Sequence, residues 1–259
     1  MAEQRLPPGA ERFKRRLLAW YRTQARDLPW RRTRDAYRVV VSEFMLQQTQ
    51  VSRVEQFYPK FIARYPTIAD LAKARPKAVR ESWDGLGYYR RAANLHQLAK
   101  DVIANHQGEL PKDPETLRKL PGIGAYTAGA VAAFAYERRE PAVDTNVDRV
   151  LRRVFFGTKL EGRRASGHEG KRGGKRRTAK PPPSGPRALV PPPADVWSLA
   201  RAILPRRGKV VWEFNQALMD LGATVCTARI ARCEICPVKP VCKTGKNRAV
   251  NPGTRTPGR

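Results

Sequence analysis

Apolar side chains along this chain recur three, four and seven residues apart. Leu95, Leu98 and Val102 form one such set, Val147, Val150, Leu151 and Val154 a second, and Phe214, Leu218 and Leu221 a third. That spacing follows the α-helical period, which gathers these positions on one face. Alternating runs of the strand kind are scarce, so the pattern predicts an all-α protein of a dozen or so short helices with brief polar links. One stretch breaks the pattern. Residues 161–193 are rich in Gly, Arg, Lys and Pro with few apolar side chains, a composition that buries too little surface to offset chain entropy. It is expected to be a disordered basic insertion, with helix resuming near Val196 and a disordered tail over 246–259. No internal repeat is visible.

Composition changes the picture in one respect. The chain has 259 residues, enough for one large or two modest hydrophobic cores. Lysine and arginine outnumber acids 51 to 23, a net charge of +28. Removing the +7 of residues 161–190 and the +5 of 243–259 still leaves +16 on the remainder. Such an excess points to a polyanionic partner, most commonly nucleic acid, with a merely solvated basic surface as the plain alternative. No run approaches the ~20 apolar residues of a membrane span, and the polar N-terminus lacks the apolar core of a signal peptide. A cytoplasmic protein without a membrane partner is expected.

All four cysteines, Cys226, Cys233, Cys236 and Cys242, fall within 17 residues with spacing C-x6-C-x2-C-x5-C. Clustered thiols in a cytoplasmic protein suggest a metal site. Zinc competes, although its usual pattern is two CxxC knuckles set further apart. Here one CxxC lies in a tight loop with Pro237 and Pro240, which suits a cubane cluster better. The spacing also resembles that of the endonuclease III and MutY glycosylases, and the resemblance implies a [4Fe–4S] cluster as cofactor. Arg229, Arg232, Lys239 and Lys243 crowd the loop with positive charge.

Residues 120–124 read Leu-Pro-Gly-Ile-Gly ahead of a small-residue helix predicted over Ala125 to Tyr136. Gly122 and Gly124 permit positive φ and close approach of another molecule, and the free amides of the following helix form a phosphate site. This resembles the helix-hairpin-helix motif of DNA-repair proteins. Twenty residues beyond Gly124 stands Asp144, followed by Thr145 and Asn146. In that superfamily the aspartate faces the target sugar; the local alternative is an N-cap for the helix starting near Val147.

On a helix, Val39 and Val40 lie three and four residues before Glu43 and Leu46 three after, so Glu43 sits on an apolar stripe. Burial there should raise its pKa, as a general acid at neutral pH requires. The alternative is a buried glutamate paired with one of the arginines. SEFMLQQTQV at 42–51, Leu-Pro-Trp-Arg at 28–31, GLGYYRRAANL at 85–95, LPGIGAYTAG, VDTNVDRV and FNQALMDLGATVC together resemble the A/G-specific adenine glycosylase (MutY) family over about 15–160 and 195–245.

The resemblance implies a helix-hairpin-helix glycosylase fold of two helical subdomains with a cluster loop: 1–29 plus 140–245 around the cluster, and a six-helix barrel over 30–139. It implies a monomer acting on mismatched double-stranded DNA, associated with the nucleoid, and excising adenine opposite guanine or 8-oxoguanine. Adenine is flipped out of the duplex, Glu43 protonates it at N7, and Asp144, with Asn146 beside it, stabilises the oxocarbenium-like sugar. Trp30, Arg31, Leu46 and Val51 would line the adenine pocket, while Gln48 and Tyr88 enter the base stack. Trp30 and Tyr88 are otherwise ordinary packing aromatics. Tyr126 stands where backbone-cutting relatives carry a lysine; a phenol forms no imine, so a monofunctional enzyme is expected. MutY proteins usually continue into a Nudix-like domain that reads 8-oxoguanine. Only 17 residues follow Cys242, so the expectation is a chain without it. The rivals are a T/G-mismatch thymine glycosylase and a non-catalytic DNA-binding module.

Overall fold

The computed structural model describes residues 6–157 and 194–246; the expected insertion and all but the first residue of the expected tail lie outside these. The described residues are helical, with no strand among them and a single antiparallel bridge pairing Cys226 with Ala231. In chain order the helices are α1 (Ala10–Gln24), α2 (Ala36–Leu46), α3 (Val51–Arg64), α4 (Ile68–Lys73), α5 (Pro76–Glu81), α6 (Arg90–Asn105), α7 (Pro114–Leu117), α8 (Ala125–Tyr136), α9 (Thr145–Leu151), α10 (Ala194–Ile203), α11 (Gly208–Asp220) and α12 (Lys243–Lys246). The all-α expectation is borne out.

Short polar side chains start many of these helices by accepting orphan amides of the first turn. Asp35 accepts from the Arg38 amide at 2.7 Å, and Asp113 from Thr116 at 2.9 Å. Thr67 and Asp70 form a reciprocal capping box at the start of α4. Pro76 and Pro114 stand in first turns, where the missing N–H costs nothing. The predicted Ala125–Tyr136 helix appears with those ends as α8, while α9 begins two residues before Val147, and α10 two before Val196.

Buried apolar side chains fall into two clusters. The first runs from Leu28 to Ala142, with Trp83, Phe44, Phe61, Leu95 and Leu98 at its centre. Helix α8 runs through it and packs on α2. Its residues Thr127–Phe134 are all buried, so it shows no polar face. The second cluster joins α1, α9, α10 and α11 with Val238 and Cys242 of the cysteine loop. Trp212 and Met219 of α11 pack against both.

One glycine sets how closely the chain packs on α8. A Cβ on Gly129 would lie 2.2 Å from the Pro141 carbonyl oxygen, so α8 meets the segment leading to Asp144 backbone to backbone. Gly129→Ala must push that segment away. We expect a stability loss of about 2 kcal/mol, typical of overpacking, measured by urea unfolding.

Candidate active site and cysteine loop

Glu43, on the buried face of α2, is 5 % exposed. Its carboxyl group bonds with the Tyr126 hydroxyl in the first turn of α8, while its Oε2 has no hydrogen-bond partner among the described residues. Burial pushes its pKa from 4.5 up to about 7; the Tyr126 hydrogen bond lowers it, Asp144 raises it, and Arg31 lowers it. Tyr126, buried beside both carboxylates, is held well above its ordinary value, first by desolvation and then by the Glu43 charge. No arginine pairs with Glu43 among the described residues. Arg31 is close enough to be felt but spends its guanidinium elsewhere.

Asp144 caps α9. Its Oδ1 accepts the Val147 amide at 2.7 Å and its Oδ2 accepts Asn146 Nδ2 at 2.9 Å. Burial raises its pKa and these donors pull it back. Two carboxyl groups thus share one buried site in different settings. Asp144 is saturated with donors, and Glu43 has one oxygen bare.

Arg31 is fastened from the opposite side. Its Nη1 and Nη2 bond Asp220 Oδ2 and Oδ1 at 2.9 and 2.7 Å, and Arg26 contacts the same carboxylate through its backbone amide and Nε. Asp220, fully buried at the end of α11, is held below the usual carboxylate range: desolvation works against this, and the Arg31 and Arg26 contacts outweigh it. Trp30, in the short turn Pro29–Arg31, is buried edge-on against Tyr58 with centroids 5.7 Å apart. Leu46 and Val51 flank the turn between α2 and α3, partly buried against the first core.

Gln48 and Tyr88 stand apart from this acid pair, at the turn after α2 and the turn before α6. Both carry left-handed backbone, φ 56° and 49°, and Tyr88 is 59 % exposed. The hairpin glycines differ from one another. Gly122 has φ 78°, and a Cβ there would lie 2.8 Å from the Phe44 ring and 3.0 Å from Asn94 Cβ. Gly124, which could take positive φ equally well, is the extended N-cap of α8 (φ −94°, ψ −177°) with open space around its Cα. Glycine permits positive φ without requiring it, and an N-cap takes extended backbone from any residue.

The four cysteines form no disulfide and line one cavity together with Val150, Val154, Leu221 and Val225. The Gly245 amide donates to Cys242 Sγ at 3.2 Å, and Arg153 Nη1 to Cys226 Sγ at 3.4 Å. Free thiols around one apolar cavity, with N–H donors on sulfur, fit an iron–sulfur cluster. Among the described residues no group of three or more His, Cys, Asp or Glu forms a single-ion site. The loop also reaches the acid site. Arg149 bonds Asn146 Oδ1 at 2.7 Å, the Gly222 carbonyl at 2.8 Å and the Cys226 carbonyl at 2.9 Å. Arg153, four residues on, holds the Thr227 carbonyl at 2.7 Å.

Two residues in these networks carry no signal of their own in the sequence. Asp220 lies in FNQALMDLGATVC and Arg149 in VDTNVDRV. Each sits in a motif that marks the region without naming the residue's partner.

Glu43 and the N-cap Asp144 are thus buried carboxyl groups in an all-helical protein of two cores, with a glycine hairpin leading into α8. A family profile described as "HhH-GPD superfamily base excision DNA repair protein" matches residues 41–172, and the chain belongs to that family. It is 44 % identical over 223 residues to the adenine DNA glycosylase of Mycolicibacterium smegmatis, covering 86 % of this chain and 66 % of that protein. The chain thus spans just under two thirds of that relative's length. It is 36 % identical to the thymine-DNA glycosylase of Aeropyrum pernix, covering 90 % of this chain and 93 % of the other. The solved structure of a thermostable thymine-DNA glycosylase superposes with a TM-score of 0.73 at 26 % identity, covering 92 % of this chain and 97 % of that one.

The raised Glu43 pKa has a measurable consequence for stability. The folded protein binds this proton more tightly than the unfolded chain. At pH 4 both states are largely protonated and little is lost. From pH 4.5 to 7 the unfolded chain releases the proton first, and above pH 7 the penalty is complete, about 3 kcal/mol. Glu43→Gln is therefore expected to change stability little at pH 4 and to raise it by about 3 kcal/mol at pH 8, read from urea midpoints.

Proposed function

We propose that this protein is a monofunctional DNA glycosylase that hydrolyses the N-glycosidic bond of adenine mispaired with guanine or 8-oxoguanine. The observation that carries the reading is the bare Oε2 of a buried glutamate whose pKa is about 7, near enough to Asp144 for the aspartate's charge to raise it. A carboxylic acid that keeps its proton near neutrality is suited to protonate a leaving base. The 44 % identity to an adenine DNA glycosylase supports adenine as that base.

In this reading the adenine is extruded into the space facing Glu43, between Trp30, Arg31, Leu46 and Val51, while Gln48 and Tyr88 fill the stack. Glu43 gives its proton to N7 as the C1′–N9 bond breaks, and the bonding pair leaves with adenine. The Asp144 carboxylate, oriented by Asn146 and the Val147 amide, faces the developing positive charge on the sugar. Glu43, now ionised, takes a proton from the water that adds to C1′. Tyr126 holds the Glu43 carboxyl and, lacking an amine, forms no imine with the opened sugar. The hairpin amides after Gly122 and Gly124 hold a backbone phosphate. Cys226, Cys233, Cys236 and Cys242 would hold a [4Fe–4S] cluster, which when bound would supply a thiolate-ligated iron centre supporting the basic loop. We assign the cluster subdomain to 1–29 plus 140–245 and the barrel to 30–139, acting as a monomer on cytoplasmic, nucleoid DNA. No helix among the described residues is long and apolar enough to cross a membrane.

One observation favours a second reading. A thymine-DNA glycosylase is matched along 93 % of its own length, which points to thymine in T·G mispairs. Duplexes bearing A·8-oxoG, A·G, T·G and U·G, treated with protein and then alkali, separate the two. Strand cutting at adenine, reduced at least ~100-fold by Glu43→Gln, is expected; cutting at thymine transfers the assignment, and cutting at neither ends both. Borohydride should trap no protein–DNA adduct. The purified protein should be brown, and Cys236→Ser should bleach it; a colourless zinc protein would refute the cluster.

A further inference from the structure

Arg91, in the first turn of α6, is 8 % exposed, and its partners are carbonyls and a hydroxyl rather than a carboxylate. Its Nη1 donates to the carbonyls of Phe44 at 2.9 Å, Met45 at 2.8 Å and Gln47. Its Nη2 donates to Thr49 Oγ1 at 3.0 Å and to the carbonyls of Leu86 and Gly87 at 3.1 Å each. The first group lies at the end of α2, where carbonyls lack helical partners and the helix dipole is negative. Of the second, Thr49 lies in the turn between α2 and α3, and Leu86 and Gly87 lie in the turn before α6. One side chain therefore ties two turns that are about forty residues apart in sequence.

Each of those turns ends in a residue with strained backbone. Gln48 follows Gln47 at φ 56°, and Tyr88 follows Gly87 at φ 49°; neither is glycine, and both project outward. Such conformations persist only where surrounding contacts over-determine them. The guanidinium supplies those contacts, lying 5.5 Å from the Tyr88 ring and 5.6 Å from the Trp83 ring. Arg53 and Trp83 complete the turn by bonding the Gly85 and Gly87 carbonyls at 3.0 and 3.2 Å. Six acceptors in two directions match a planar fork and not the compact head of a lysine.

We propose that Arg91 is a positioning residue that locks Gln48 and Tyr88 into one preformed wedge for prising the target base from the duplex. The inference rests on the reading that these two residues enter the base stack. It adds that the wedge is rigid before DNA arrives, so ordering two loops does not oppose extrusion.

The test is a double-mutant cycle on whichever mispair the full-length protein cuts, which frees it from the choice of base. Arg91→Lys is expected to lower the single-turnover rate 10- to 100-fold and to reduce extrusion, reported by 2-aminopurine at the target position. In a Gln48→Ala/Tyr88→Ala background the same change should cost less than about threefold, because the wedge it serves is gone. The pH dependence of the rate should keep its shape, since Glu43 is untouched. Losses that multiply in the two backgrounds would assign Arg91 a merely structural role and overturn the proposal, as would an Arg91→Lys protein that extrudes normally. If Gln48→Ala/Tyr88→Ala itself leaves extrusion intact, the wedge reading fails instead. Should Arg91→Lys not fold, Thr49→Val removes one of the six bonds at the wedge, and the same cycle applies with a loss of about three- to tenfold.

Discussion

Asp220 is buried completely in the last turn of α11, and two arginines from the segment between α1 and α2 converge on it. A carboxylate without partners at that depth would cost several kcal/mol, and so would the Arg31 guanidinium. The two are therefore obliged to stay together. Asp220 belongs to the second core and Arg31 lies at the edge of the first, so their bond sets how the two helical layers meet. Arg31 is also felt by Glu43. With its donors taken up by Asp220, it lowers the acid's pKa too weakly to offset burial, and Glu43 keeps its proton near neutrality.

The acid pair shows how one environment yields two behaviours. Glu43 and Asp144 are both desolvated, and desolvation raises both. What separates them is the backbone. Asp144 caps α9 and collects donors from Val147 and Asn146, whereas Glu43 lies mid-helix, where main-chain amides are already spoken for. Capping and a functional role are compatible here because the bonds that make Asp144 the N-cap of α9 also orient its carboxyl group.

The cysteine loop is not an appendage to this arrangement. Arg149 reaches from Asn146 to the Cys226 carbonyl, and Arg153 grips the residues just after it. Gly222 lets the two segments close: a Cβ there would fall 2.7 Å from Asn146 Cβ. Whatever orders the loop therefore bears on the bonds that orient Asp144.

The helical period, the buried stripe around Glu43, the cap at Asp144 and the crowding of four thiols were all legible in the chain, because each depends on neighbours within a few residues. Helix propensity, capping and side-chain spacing are local physics. The partners of Arg31, Arg91 and Arg149 were not legible. Asp220 lies 189 residues from Arg31, and the carbonyls that Arg91 binds at the end of α2 belong to backbone common to every residue. Among 51 basic side chains and 23 acids, charge alone names no pair. The conformation of Gly124 was equally hidden, since glycine widens the choice of φ without making it. The sequence by itself determined which residues are helical, which acid is buried and where the thiols cluster. Only the tertiary structure decided which arginine meets which oxygen, because that choice belongs to the packing of the two cores.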